Sequence, residues 1–132
     1  MTVFISAGHN PIQVGAVYTV PNTNKIITEY GLTKLYADAI ESALVAVGIK
    51  VNKVPTGSLT SKINHINKYA VKGDIAIEVH FNSDPGLKGE GCETLYCPGS
   101  VNGKATASRI QANIVKAVRT DVKDRGIKEG WY

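Results

Sequence analysis

Short runs of β-branched and other apolar residues alternate along this chain with longer stretches of helical periodicity. The β-type runs cover 2–6, 49–54, 74–81 and 92–97, and apolar residues at helical spacing lie between them at 32–47, 59–70 and 103–119. Strand–helix–strand units of this length place successive strands parallel, with right-handed crossovers. The sequence therefore predicts an α/β fold with a central mixed, mostly parallel sheet that is flanked by helices on both faces.

Three local predictions accompany this architecture. Residues 10–28 contain Pro11, Gly15 and Pro21 and are predicted to form a long polar loop, of a kind that is usually functional. The first two helices are each marked by one apolar row, formed by Leu32, Leu35, Tyr36, Ala39, Ile40, Ala43, Leu44 and Val47 in the first and by Leu59, Ile63, Ile66 and Ala70 in the second. The charged segment 121–128 is interpreted as a solvated helix end.

Length, composition and charge limit what the chain can be. Its 132 residues, 43% of them hydrophobic, suit a single domain, which we expect to cover 1–132. The net charge of +4 fits a polyanionic partner, but Lys and Arg form no run of five or more, which favours an ordinary solvated surface. The chain contains no apolar stretch of membrane-spanning length and no G-x-G-x-x-G or Walker loop. The missing loops argue against a nucleotide-binding α/β protein, and we further expect a monomer without a nucleic-acid partner and without membrane insertion.

Two histidines and one glutamate are predicted to meet at one edge of this sheet. His9 follows the first strand, Glu29 lies in the first turn of the first helix, and His80 lies at the end of the 74–81 strand. Open α/β sheets bind ligands outside the carboxyl ends of their strands, where these three residues arrive. Two imidazoles and one carboxylate are typical of catalytic zinc, which keeps a fourth position for water, whereas structural zinc has four protein ligands. Taken singly, each residue also has an ordinary structural interpretation.

Three segments of the chain resemble a known enzyme family. "ISAGHNPIQVGA", "TEYGLTKLYADAIESAL" and "GDIAIEVHFNSDPGLKGEGCETLYC" are similar, in this order, to the zinc-dependent N-acetylmuramoyl-L-alanine amidases of phage endolysins and bacterial autolysins. The resemblance covers nearly the whole chain and implies that His9, Glu29 and His80 are zinc ligands. It also implies peptidoglycan as the substrate, with hydrolysis of the amide between N-acetylmuramic acid and L-alanine.

The beginning of the chain bears on where such an enzyme acts. "MTVFISAG" leads directly into a strand, with no basic region before it. A secretory signal peptide would begin with such a basic region, followed by an apolar stretch and a cleavage site. We therefore expect cytoplasmic synthesis without a signal peptide, and action on the cell wall after release, as for a phage lysin.

The chain departs from the family pattern near its end. In the family a second glutamate, in a late strand, acts as general base, and that strand is expected after "DRGIKEGWY", where this chain stops. Three explanations stay open: the domain is truncated at its C-terminal end, another carboxylate serves, or the chain is a non-catalytic peptidoglycan-binding or regulatory module of the same fold. The catalytic carboxylate is thus unknown, with Glu78 and Glu93 as weak candidates. Glu78 shares a strand face with His80, so it either orients a ligand or pairs with a lysine.

Overall fold

The computed structural model describes residues 1–81, 90–118 and 122–130, and the chain divides into two units, Met1–Ser83 and Asp84–Tyr132. The first unit contains β1 (Thr2–Ala7), β2 (Val17–Thr19), β3 (Ile26–Thr28), α1 (Glu29–Ala46), β4 (Lys50–Lys53), α2 (Leu59–Tyr69) and β5 (Ile75–Val79). The second contains β6 (Cys92–Tyr96), α3 (Val101–Ala117) and β7 (Asp124–Glu129). Within these described ranges, no helix is both long and apolar enough to cross a bilayer.

The sheet of the first unit has the strand order β4-β1-β5, and its pairings are parallel. β1 is the central strand: Val3 is paired with Val51 on one side and with Ile75 on the other. Phe4 and Ile5 are almost completely buried, as expected for a strand in a parallel sheet that is covered on both faces. The predicted α/β fold, with mostly parallel strands and helices on both faces, is confirmed.

α1 covers one face of this sheet with a narrow row of residues. The buried centre of the contact consists of Val3, Ile5 and Ala37, and the residues packed against it are Ala7, Ile40, Leu44, Ile49, Val51 and Ile77. The predicted position of Ile40 and Leu44 on the buried face is confirmed, whereas five residues of the predicted row are exposed: Leu35, Tyr36, Ala39, Ala43 and Val47. The small residue Ala37 lies at the centre of the contact and lets the helix approach the sheet closely. Fewer residues of α1 are therefore buried than the apolar row in the sequence suggests.

α2 lies on the other face of the sheet, toward which the buried Phe4 points, and adds polar contacts there. Lys62 is buried, and its ammonium group lies 3.0 Å from Oε2 of Glu78. Nε2 of His65 lies 2.9 Å from Oδ1 of Asn52 on β4. The predicted apolar row of this helix was wrong for two residues that are exposed, Leu59 and Ile63. The reason is that this sheet face presents a carboxylate and an amide, and buried polar groups require polar partners.

Part of the segment predicted to be a loop is a hairpin. β2 and β3 are antiparallel, with Val17 opposite Thr28 and Thr19 opposite Ile26. The turn between them includes Asn22, which has a φ of 60°, a left-handed conformation that Asn tolerates better than most residues. The prediction of an uninterrupted loop was wrong, because strands of three residues are too short to show a strand-like alternation.

β6, α3 and β7 form a β–α–β unit with parallel strands, in which Tyr96 is paired with Glu129. The buried amide of Gln111 on α3 donates hydrogen bonds to the carbonyl of Cys92 at 3.0 Å and to Oδ1 of Asp124 at 2.6 Å, which ties the helix to both strands. The interpretation of 121–128 as a helix end was therefore wrong for 124–128, which belong to β7, while residue 121 lies outside the described residues. Ile127 is the single apolar residue of β7, so the strand carries no hydrophobic pattern.

Candidate metal centre

Three side chains from separate elements converge beyond the carboxyl ends of β1 and β5. His9 follows β1 after Gly8, Glu29 is the first residue of α1, and His80 directly follows β5. Nε2 of His9 lies 3.0 Å from Oε2 of Glu29, and Nδ1 of His80 lies 3.1 Å from Oε1 of the same carboxylate. One ligand atom of each residue lies within 4.8 Å of the others. The structure thus brings together the three residues that the sequence pattern selects.

The carboxylate of Glu29 is held by the protein backbone. The Thr28 hydroxyl caps α1 by accepting a hydrogen bond from the amide of Gly31, which fixes where the helix begins. The amide of Ala16 donates to Oε2 of Glu29 at 3.1 Å, and the amide of Phe81 donates to Oε1 at 2.9 Å. Burial by itself would raise the pKa of Glu29, but these amides, together with His80, lower it. Glu29 is therefore an ionised, oriented carboxylate.

The loop after β1 holds His9 in an uncommon backbone conformation. His9 has a φ of 62°, in the left-handed region that residues other than glycine rarely adopt. The buried hydroxyl of Thr33 donates to the carbonyl of Gly8 at 2.8 Å, and the Gly8 amide donates to the carbonyl of Val79 at 2.8 Å. These bonds tie the loop to α1 and to β5, which is the kind of support that an unfavourable backbone conformation at a functional site requires.

Two glycines leave room for the histidine rings. A Cβ atom at Gly8 would lie 2.8 Å from Nδ1 of His80. At Gly15, which has a φ of 72°, a Cβ atom would lie 2.6 Å from Nε2 of His9 and 2.7 Å from Oε2 of Glu29. A larger residue at either position would therefore displace the atoms that face the shared carboxylate.

Glu78 and His80 lie side by side at the end of β5. Nε2 of His80 lies 2.9 Å from Oε1 of Glu78, while Oε2 of Glu78 accepts hydrogen bonds from the Ser6 hydroxyl at 2.7 Å and from the Lys62 ammonium at 3.0 Å. Burial would raise the pKa of Glu78, but these partners lower it to about 2. Glu78 in turn raises the pKa of His80, burial opposes that rise, and Glu29 adds to it. The surroundings of His80 therefore favour positive charge.

The donor set of His9, Glu29 and His80 fits a small divalent cation. Ligand atoms of a tetrahedral zinc ion are separated by about 3.3 Å, since each lies about 2.0–2.2 Å from the metal. The two histidine nitrogens lie 3.0 and 3.1 Å from different oxygens of Glu29, and one ligand atom of each residue lies within 4.8 Å of the others, so small side-chain shifts would bring the set to that separation. The chemistry of the set, two imidazoles and one ionised carboxylate, is also that of zinc ligands.

The remaining candidate general base, Glu93, has other partners, and so does the nearby strand residue Glu129. Glu93 lies on β6, where its Oε2 is 3.1 Å from Nε of Arg125 and also contacts the ammonium of Lys128. Glu129, at the end of β7, accepts a hydrogen bond from the amide of Gly99 at 2.8 Å. Both glutamates belong to the second unit, whereas the three converging residues belong to the first.

Several residues that support the three converging side chains were missed in the sequence. Lys62 carried a signal: it lies three residues after Leu59 and four before Ile66, inside the predicted apolar row, where a charge needs a buried partner. Ser6 likewise interrupts an apolar strand. The amides of Ala16 and Phe81 left no signal, because nearly every residue type supplies a backbone amide.

A small apolar pocket borders the carboxylate of Glu29. It has a volume of about 150 Å³ and is lined by Ala16, Tyr18, Ile27, Thr28, Glu29, Leu32 and Phe81. The β2–β3 hairpin, the start of α1 and Phe81, which follows β5, form its walls. A hydrocarbon group of a ligand would therefore find apolar surface next to the polar cluster.

Comparison with known proteins identifies the family. The family model described as N-acetylmuramoyl-L-alanine amidase matches residues 3–132, which is almost the entire chain. The chain therefore belongs to the N-acetylmuramoyl-L-alanine amidase family, and the resemblance seen in the three sequence segments is confirmed. A comparison with curated protein sequences gives no match.

Solved structures with the same fold include two amidases. Cwp6 from Clostridium difficile matches with a TM-score of 0.83 and 29% identity, and an N-acetylmuramoyl-L-alanine amidase from Clostridium difficile 630 matches with 0.75 and 27%. The amidase AmiC2 of Nostoc punctiforme matches with 0.82 but only 17% identity, which supports the fold alone. The matches cover 99%, 98% and 100% of this chain, but 20%, 69% and 70% of the respective matched chains. The chain thus spans a fifth of Cwp6.

Proposed function

We propose that this chain is a zinc-dependent N-acetylmuramoyl-L-alanine amidase, which hydrolyses the amide bond between N-acetylmuramic acid and L-alanine in peptidoglycan. The observation that carries the proposal is the convergence of His9, Glu29 and His80 within a chain of the amidase family. Family membership supports the substrate and the bond, while the donor set supports the metal.

Each part of the candidate metal centre has a role in this proposal. Nε2 of His9, the carboxylate of Glu29 and Nδ1 of His80 would hold the ion. Zinc supplies Lewis acidity when it is bound, which activates water and polarises a carbonyl group. The amides of Ala16 and Phe81 keep Glu29 oriented and ionised, so that it meets a cation without rearrangement. The pocket beside Glu29 would receive an apolar part of the substrate, such as the methyl group of L-alanine.

Neither candidate carboxylate is proposed as the general base. A general base must lie within hydrogen-bond reach of the proton that it accepts. Both oxygens of Glu78 are already engaged, by Ser6, Lys62 and His80. Glu93 is paired with Arg125 and Lys128. Glu78 is therefore given a different role below.

The test combines metal analysis with cell-wall digestion. Purified chain should bind about one zinc ion and should clear peptidoglycan in a zymogram, releasing new L-alanine amino termini; a chelator should abolish clearing and added zinc should restore it. His80→Ala should lose both zinc and clearing, because it removes one of three ligands. His65→Gln is the matched control, since His65 faces Asn52 instead of the site and the amide keeps a polar partner there. Clearing that survives both the chelator and His80→Ala would contradict the proposal.

The alternative is a non-catalytic peptidoglycan-binding or regulatory module of the same fold. The engagement of Glu78 and Glu93 by other side chains favours this alternative, because neither is available as a proton acceptor. A module would sediment with insoluble peptidoglycan but release no amino termini from it. An amidase would do both.

The setting of the reaction is part of the proposal. We infer a monomer that is synthesised in the cytoplasm and acts on the cell wall after release, as a phage lysin does. Sedimentation of the purified chain tests whether it is a monomer. The route is tested by comparing the digestion of cell walls by chain added from outside with the lysis of cells that produce the chain inside.

A further inference from the structure

Glu78 is held from two sides by donors that belong to other elements. Its Oε2 accepts hydrogen bonds from the hydroxyl of Ser6 on β1 and from the ammonium of Lys62 on α2. Lys62 also donates to the carbonyl of Ala7, and its side chain is only 5% exposed, so the position of its charge is fixed. Oε1 of Glu78 is thereby left facing Nε2 of His80 at 2.9 Å.

This arrangement determines which nitrogen of His80 can bind an ion. Both ring nitrogens of His80 face a carboxylate, Nε2 that of Glu78 at 2.9 Å and Nδ1 that of Glu29 at 3.1 Å, and a carboxylate can only accept. The two oxygens of Glu29 already accept two backbone amides, whereas among the described residues Oε1 of Glu78 has His80 as its only donor. The single hydrogen of the neutral ring therefore belongs on Nε2, and Nδ1 keeps its lone pair for a metal. We propose that Glu78 is a positioning residue that fixes His80 as the Nε2–H tautomer, and that Ser6 and Lys62 fix the orientation of Glu78. The inference rests on the proposed zinc site and states how one of its ligands is prepared.

The substitution Glu78→Gln should reverse the tautomer instead of merely weakening a contact. Lys62 can only donate, so the amide oxygen of the new side chain would take the place of Oε2 beside Lys62 and Ser6. The amide NH₂ group would then point at Nε2 of His80, which would have to accept. The hydrogen of the neutral ring would move to Nδ1, the nitrogen needed for the metal.

This mechanism predicts an order of effects that simple loss of packing does not. Loss of a group that orients a metal-binding histidine weakens metal binding by roughly 10–100-fold, and we expect Glu78→Ala in that range. Glu78→Gln should weaken zinc binding more than Glu78→Ala does, although glutamine is the closer match in shape. If Glu78 only filled space, glutamine would be the milder change.

Removal of Lys62 should partly rescue the glutamine variant. In Lys62→Met with Glu78→Gln, only the Ser6 hydroxyl remains at the amide, and a hydroxyl can accept as well as donate. The amide can then turn its oxygen toward Nε2 of His80 and restore the tautomer. Zinc affinity of the double variant should therefore exceed that of Glu78→Gln alone.

The experiment measures zinc affinity by competition with a chelating dye, and the tautomer by long-range ¹H–¹⁵N spectra of the imidazole rings. The chain has three histidines, so the signals can be assigned with single substitutions. Spectra of the zinc-free chain at alkaline pH should show the Nε2–H form of His80, and the Nδ1–H form in Glu78→Gln. Glu41→Gln is the matched control, because Glu41 also pairs with a lysine, Lys53 at 2.8 Å, but on the surface.

Two results would overturn the inference: an Nδ1–H tautomer in the original chain, or Glu78→Gln binding zinc more tightly than Glu78→Ala. If a variant fails to fold, the spectrum of the original chain still decides the question. A chain that shows the Nε2–H tautomer but binds no zinc would refute the proposed metal centre and leave the positioning of His80 standing. The two proposals therefore fail separately.

Discussion

The two faces of the sheet in the first unit differ in the contacts made next to the candidate metal centre. On the α1 face, Val3 and Ile5 pack against Ala37 in an apolar contact. On the α2 face, buried Lys62 and the partly exposed Glu78 form an ion pair that continues to His80. Alternate residues of β1 point in opposite directions, so β1 supplies Val3 and Ile5 to the α1 face and Ser6 to the α2 face.

The difference separates stability from orientation. Apolar burial is non-directional and scales with the area removed from water, so the α1 face stabilises the fold without placing any one atom. Hydrogen bonds weaken steeply when they are bent, so the α2 face can determine where a nitrogen points. We therefore expect changes on the α1 face to alter unfolding, and changes to the polar residues Ser6, Lys62 and Glu78 on the α2 face to alter metal binding.

The largest effect on stability should come from the apolar face. Ile5 is completely buried, so Ile5→Ala should lower the free energy of unfolding by about 2–5 kcal/mol through lost transfer energy and an unfilled cavity. Urea denaturation of the zinc-free chain measures this. Val45→Ala, on an exposed position of α1, is the control and should change stability by less than about 0.5 kcal/mol.

The same variant also tests whether the two faces are independent. Zinc affinity of folded Ile5→Ala should equal that of the original chain, because the side chain of Ile5 packs on the α1 face, opposite to Lys62 and Glu78. A loss of affinity comparable to that of Glu78→Ala would show that the apolar face positions the site as well, and the distinction drawn above would not hold.

The same contrast explains how much the sequence predicts. β1, α1 and β5 follow from apolar periodicity, and the convergence of His9, Glu29 and His80 follows from the rule that parallel strands end at one edge. These predictions depend on burial and connectivity, which a single sequence records. They succeed even though the three residues are far apart along the chain.

What the sequence did not predict depends on specific polar partners. The exposed positions of Leu59 and Ile63 could not be foreseen, because the buried face of α2 is decided by Glu78 and Asn52 on strands that the helix meets only in the folded chain. β7 was missed for a related reason: its polar residues are matched by partners such as Gln111, not by apolar burial.

A smaller effect is expected at Thr33, a buried polar residue of α1. Thr33 is completely buried on α1, and its hydroxyl donates to the carbonyl of Gly8, next to His9. Thr33→Val keeps the shape but removes the hydrogen bond, so it should lower the free energy of unfolding by about 1–2 kcal/mol. Because Gly8 precedes His9, zinc affinity should fall as well. Unchanged zinc affinity would assign Thr33 to the stabilising contacts of the α1 face alone.

The smallest effect concerns Asp74, at the opposite end of β5 from His80. Like Glu29, Asp74 is a carboxylate that accepts two backbone amides, those of Thr2 at 2.6 Å and Val71 at 3.1 Å, but no histidine faces it. These amides, Thr2 above all, lower the pKa of Asp74 below its ordinary value of 3.8. Its stabilising contribution is therefore complete above the unfolded-state pKa and is lost as the pH falls through the lowered folded-state value.

Asp74→Asn should accordingly reduce the melting temperature slightly at neutral pH and flatten its decline between about pH 5 and about pH 2. Zinc affinity should stay unchanged, since Asp74 binds backbone amides at the opposite end of the sheet and orients none of the proposed metal ligands. Melting curves of the zinc-free chain across this pH range provide the measurement. If the slope matched that of the original chain, the acid sensitivity would have to come from other carboxylates. In that case holding two backbone amides would not by itself distinguish a stabilising carboxylate from one that prepares a ligand.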